Sequence, residues 1–140
     1  MKLVIDANVL FSALIKDGLT RKLIVDESLE LHSPKELFDE FLEHLKELEK
    51  KTNVKAEILE SKMKELFRIA NIKVHSNISD KFIIKAGKFS PDFEDIIYFA
   101  LALKLNCSIW SNDKRLTTQN KVKIISTSEV LHLFEKEEKY

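Results

Sequence analysis

The chain has 140 residues, 44% hydrophobic and 33% charged, which suits one globular core. Its 23 basic and 23 acidic residues balance, so affinity for nucleic acid has to come from a local patch or a bound metal, not from an overall basic field. The lone Cys107 rules out an internal disulfide, and no apolar run approaches the roughly 18 residues that span a bilayer, so no membrane association and a cytoplasmic location are expected.

Lys2 to Ile5 reads as a short β-branched strand, followed by a helix carrying Val9, Leu10, Ala13 and Leu14 that ends at Asp17-Gly18. Thr20 is placed to cap a second helix running to about Ser28, and a brief strand over Glu30–His32 follows. Ser33-Pro34 has the cap-plus-proline signature of a long helix reaching about Lys51, and Asn53 opens another that carries Ile58, Leu59, Met63, Leu66 and Phe67. Ile72 to His75 forms a third strand, and a short helix from Asp80 ends near Gly87. Ser90-Pro91 repeats the start signature for a helix over Pro91–Leu105, ended by Asn106. Cys107–Trp110 and Val122–Ile125 complete the strands, and Ser126-Thr127-Ser128-Glu129 caps a last helix that dissolves over Glu135–Tyr140. Alternating strands and helices predict a three-layer α/β/α fold around a five-stranded parallel sheet, with ligands bound beyond the strand carboxyl ends where the strand order reverses.

The acids fall at telling places. Asp6 ends the first strand and is the only ionisable residue between Lys2 and Lys16; Asp113 follows the fourth strand in the same way. Each alone reads equally well as a helix or loop cap, but if these strands flank the reversal, both carboxylates face one crevice. Asp95 opens a helix that is apolar nearly all round, where an unpaired carboxylate is costly and has to find a cation, a donor or water. Asp92 is either a second ligand there or a simple complement to the helix N-terminus. On the long helix, Glu36 and Glu43 lie opposite the apolar stripe, whereas Asp39 and Glu40 sit nearer its borders and can lean over the sheet edge. Clustered carboxylates repel and call for a divalent cation; oxygen-only ligands favour Mg²⁺ or Mn²⁺, and the scattered His32, His44, His75 and His132 offer no zinc spacing.

With these segments in view, the sequence resembles the PIN-domain family. Val4-Ile5-Asp6-Ala7-Asn8-Val9-Leu10 is similar to its first motif and Ser33 to Leu42 to its acidic helix. Pro91 to Ala102 is similar to the third motif and Trp110-Ser111-Asn112-Asp113 to the fourth. The resemblance implies that residues 1–140 form a single nuclease domain with Asp6, Glu40, Asp95 and Asp113 as the catalytic and metal-binding quartet. Asp92 would be nearby, and Asn8 and Ser111 would be supporting polar groups. It further implies a Mg²⁺- or Mn²⁺-dependent endoribonuclease acting on RNA, in many members a VapC-like toxin, homodimeric and neutralised by a small antitoxin. Lys114 and Arg115 are either phosphate contacts or exposed loop cations. A haloacid-dehalogenase-type phosphatase would need an Asp where Asn8 stands. From another class, a catalytically silent module with the same fold would bind RNA or protein.

Overall fold

Leu3, Val4 and Ile5 have almost no exposed surface, the burial expected of a central strand covered on both faces. In the computed structural model, which describes residues 1–15 and 18–138 and side chains through 136, this strand β1 (Lys2–Ile5) lies between β2 (Glu30–Pro34) and β4 (Ser108–Trp110). With β3 (Lys73–His75) beyond β2 and β5 (Ile124–Ile125) beyond β4, all pairings parallel, the sheet order is β3-β2-β1-β4-β5. The order reverses between β1 and β4, as the paired acids require.

The helices are α1 (Ala7–Ile15), α2 (Gly18–Ile24), α3 (Lys35–Glu43), α4 (Leu45–Thr52), α5 (Ala56–Ile69), α6 (Asp80–Gly87), α7 (Ile96–Leu105) and α8 (Thr127–Glu138). Helices α1, α2, α5 and α8 pack in one connected group, while α6 packs on α7, which lies across β1, β2 and β4. The predicted α/β/α architecture with a five-stranded parallel sheet is the one observed. Among the described residues no helix is long and apolar enough to cross a membrane.

Several boundaries differ from the sequence reading. The end of the first helix at Asp17 lies outside the described residues. Thr20 does not precede the second helix but lies within it: the helix begins at Gly18 and buries Thr20 in its first turn. That helix stops at Ile24 rather than near Ser28, because a turn closed by the Leu29 N–H on the Asp26 carbonyl leads into β2. Strand β2 itself runs on through Pro34, so the long helix starts at Lys35 with Pro34 as its cap residue. It is also interrupted at His44, whose N–H is shared between the carbonyls of Glu40 and Phe41. The break separates a helix that buries Leu37 and Phe41 from one that packs on α5. Asn53 ends α4 instead of starting α5: it adopts φ 57°, a left-handed conformation that asparagine tolerates, and donates to the Glu49 carbonyl. The final helix persists to Glu138; Lys139 and Tyr140 lie outside the described residues.

Candidate active site at the strand reversal

Two backbone bonds carry the strand pairing past the strand ends and fix the floor of the site. The Asp6 N–H donates to the Trp110 carbonyl and the Ser111 N–H to the Ile125 carbonyl, each at 3.0 Å. Asp6 is thereby held against β4, 8% exposed. Its Oδ2 accepts from the Ser111 hydroxyl at 2.6 Å and its Oδ1 from the Ala7 N–H at 2.8 Å. Burial pushes the Asp6 carboxyl above its usual range, while these donors pull it back. Ser111, 2% exposed, also accepts from the Asp113 N–H at 3.0 Å, so one buried hydroxyl orients both strand-end acids. Asn8 sits exposed in the first turn of α1.

Asp113 is paired differently. Arg115 grips it, with Nη2 2.8 Å from Oδ2 and Nε 3.2 Å from both oxygens, and its backbone N–H donates to Oδ1 at 3.0 Å. This holds the Asp113 carboxyl below its usual range and raises the guanidinium above its own. The same guanidinium lies 3.6 Å from Asp92. Asp92 takes the capping role expected of Ser90-Pro91: the chain makes a short 3-10 turn over Phe93–Asp95, whose Glu94 N–H approaches Asp92 Oδ1 at 3.5 Å. The helix proper therefore begins at Ile96, not Pro91.

That late start leaves Asp95 at the cap position of α7, yet its side chain caps nothing. Its Oδ2 is the one fully buried side-chain polar atom among the described residues without a hydrogen-bond partner. Burial first, then the neighbouring charge of Asp6, pushes its carboxyl up to about 6. Glu40, half-buried on α3, accepts from the Tyr98 hydroxyl at 3.1 Å. Burial and the charge of Asp6 raise the Glu40 carboxyl as well, and burial raises the Tyr98 hydroxyl so that it stays a donor. Of the border acids, Glu40 turns inward and Asp39 is exposed, as are Glu36 and Glu43. Tyr98 is absent from the sequence-derived set, though it is the only hydroxyl on an otherwise apolar helix apart from Lys104 at its far end.

The structure thus brings Asp6, Glu40, Asp92, Asp95 and Asp113 into one electrostatic neighbourhood centred on Asp6, whose charge acts on Glu40 and Asp95, while Asp113 acts on Asp6 and Asp95 and Asp92 on Asp95. Among the described residues no three His, Cys, Asp or Glu side chains converge tightly enough to form a ready-made cation cage. The orphaned, buried Asp95 oxygen and the elevated carboxyls of Asp6, Asp95 and Glu40 nonetheless fit a hard cation, whose positive charge would relieve their mutual repulsion and supply the partner that Asp95 Oδ2 lacks.

Open parallel α/β sheets bind their ligands in the crevice where the strand order reverses, and here that crevice holds the cluster of acids. Residues 4–134 match the PIN-domain family model, and the chain belongs to that family, whose nucleases generally use a divalent metal. A search of curated proteins returns no match. The fold is similar to a chain in the crystal structure of VapBC2 from Rickettsia felis bound to a DNA fragment from their promoter. That similarity covers 90% of this chain and 98% of that one, with a TM-score of 0.70 and 12% identity.

Proposed function

We propose that the chain is a single-domain, Mg²⁺- or Mn²⁺-dependent endoribonuclease, and the toxin of a toxin–antitoxin pair. The observation that carries this reading is the buried, unpartnered Oδ2 of Asp95, on a carboxylate that feels the charge of Asp6 at the strand reversal. Membership of the PIN-domain family supports the nuclease reading, and the VapBC2 neighbour supports a small antitoxin partner. Asp6, Glu40, Asp95 and Asp113 are the proposed catalytic and metal-binding residues, Asp92 an outer ligand, and Asn8 and Ser111 supporting groups. A homodimer in the cytoplasm belongs to the same reading.

A divalent cation bound here supplies charge neutralisation at the scissile phosphate and lowers the cost of ionising a water. The chain's own groups do the rest. Ser111 and the Ala7 N–H hold Asp6 in one orientation, and Tyr98 holds Glu40. Asp95, with its carboxyl raised to about 6, is ionised for the most part at neutral pH and so available as a ligand to a cation.

The deciding experiment compares cleavage of a mixed RNA panel by the wild type and by Asp6→Asn in Mn²⁺. Loss of cleavage in the variant supports the nuclease reading. Equal behaviour of the two sinks it and favours the silent binding module, a reading that draws on Arg115 already neutralising Asp113. Growth arrest on expression, relieved by a co-expressed small partner, tests the toxin assignment.

A further inference from the structure

Two clefts reach the carboxylate centre from opposite sides of the strand reversal, and they are nearly equal in size. One, about 600 Å³, opens between α3, α6 and α7 and is lined by Glu36, Asp39, Glu40, Glu43 and Glu94 around Phe93 and Ile83, with no cation among its walls. The other, about 590 Å³, opens between the segment after β4 and the start of α8. Its polar wall carries Ser111, Asn112, Lys114, Thr117 and Ser128, and its apolar side includes Leu131. Besides Asp113, the only acid on this wall is Glu129, which is tied into the cap of α8 by the Ser126 N–H and hydroxyl.

With equal space, the difference in charge decides which cleft a polyanion enters: the charged groups lining the first are acids alone, whereas in the second the acids are offset by Lys114 and Arg115. A phosphate in the first cleft would stand among five carboxylates with no cation on the walls to offset them. In the second, the Asp113 charge is matched by Arg115, and the Lys114 ammonium has no ion pair among the described residues. The Ser128 hydroxyl is likewise without an intramolecular hydrogen bond there. Asn112 is fixed by reciprocal bonds with Thr127: its Nδ2 donates to the Thr127 hydroxyl at 2.9 Å, and its Oδ1 accepts from the Thr127 N–H at 2.8 Å. The Thr127 hydroxyl also accepts from the Trp110 indole at 3.0 Å, so this wall is rigid and anchored in the core.

Building on the nuclease reading, we propose that the cleft between the β4 end and α8 is the nucleotide subsite: a nucleotide of single-stranded RNA next to the scissile bond seats there. Lys114 and Ser128 take its phosphate, and Leu131 and the neighbouring apolar wall take its base. The acidic cleft on the other side excludes the strand. The substrate path is therefore one-sided, running from the carboxylates over Asp113 toward α8.

Photo-crosslinking of the full chain to a 4-thiouridine-containing single-stranded RNA, with and without Mn²⁺, tests the path directly. Crosslinks within residues 111–131 are expected; crosslinks confined to 36–43 or 83–97 overturn the proposal. In parallel, Lys114→Glu combined with Ser128→Ala is expected to raise KM for RNA cleavage about tenfold with kcat within twofold, and to flatten the salt dependence of KM. Glu43→Gln serves as the control in the opposite cleft, with KM unchanged. An unchanged KM in the double variant overturns the subsite, and so does a rise in KM for Glu43→Gln that matches it. A wild type that crosslinks over 111–131 but cleaves nothing leaves the path standing and removes the nuclease reading instead, so the two failures are distinguishable.

Discussion

The acids carried by strand ends and those carried by helices are in contrasting states. Asp6 and Asp113 are hydrogen-bonded on both oxygens, through Ser111 and the Ala7 N–H in one case and Arg115 in the other. Asp95 and Glu40 are under-satisfied: one buries an oxygen with no partner, and the other has a single donor in Tyr98. Strand-end acids are thus part of what holds the sheet edge together, whereas the helix-borne acids are held at a cost by the rest of the fold. Such unrelieved groups persist where function needs them.

The largest effect that sharpens this contrast is expected at Asp95. Asp95→Asn should lower metal-dependent cleavage at least about 100-fold while stabilising the metal-free protein. Because its folded pKa is raised from 3.8 to about 6, the folded state keeps a proton that the unfolded chain has already released between those values. Stability of the wild type therefore falls as pH rises through that window and levels off above about 6. The variant loses most of that slope, and since the group is only part-buried its gain at pH 8 should be about 1 kcal/mol. Urea unfolding at pH 4.5 and pH 8 reads both; a variant less stable than wild type at pH 8 contradicts the assignment. By the same sign, Mn²⁺ should raise Tm more at pH 8 than at pH 5, where it competes with the Asp95 proton.

Next in size is Ser111→Ala. This buried hydroxyl donates to Asp6 and accepts from the Asp113 N–H, so its removal strips one partner from each of two groups at the sheet edge. A loss of about 2 kcal/mol is expected, because unsatisfied buried groups cost more than a hydrogen bond is worth on average. Chemical denaturation measures it. A loss under about 0.5 kcal/mol would mean that water replaces the hydroxyl and that the strand-end acids are less structural than proposed.

The sequence made the strand side of this contrast legible and the helix side only partly so. Asp6 and Asp113 can be paired from the sequence because parallel strands with intervening helices leave few orders, and a reversal between β1 and β4 brings their ends together. The apolar sweep of Ile96–Leu105 marked Asp95 by the burial it forces, and the wheel position of Glu40 matched its half-buried setting on α3. What local pattern could not supply were features decided by tertiary packing. The break at His44 follows from α4 docking on α5, although the apolar stripe continues through both segments. Tyr98 bonds an acid 58 positions away in sequence, and Arg115 bridges Asp113 to Asp92 across the crevice. Cap signatures also misled where proline preceded a better cap: at Ser90-Pro91, Asp92 takes the role and a 3-10 turn delays the helix, which is what leaves Asp95 uncapped at its start.

The smallest effect on stability should come from Arg115, and it bears on how Asp113 differs from Asp6. The pair is exposed on the arginine side, 66% against 16% for Asp113, so solvent screens most of its Coulomb energy. Arg115→Ala should accordingly leave unfolding stability nearly unchanged. It should nevertheless release the Asp113 carboxyl upward toward its ordinary range, since the guanidinium is the leading cause of its depression. Carboxyl-carbon NMR titration of wild type and variant follows that shift. A divalent cation should then bind the variant more tightly than the wild type, because it no longer competes with a resident positive charge for both Asp113 oxygens. If Mn²⁺ affinity instead falls in Arg115→Ala, the guanidinium is orienting Asp113 for the cation rather than standing in for it, and Asp113 belongs with the pre-ordered strand-end acid Asp6 in function as well as in position.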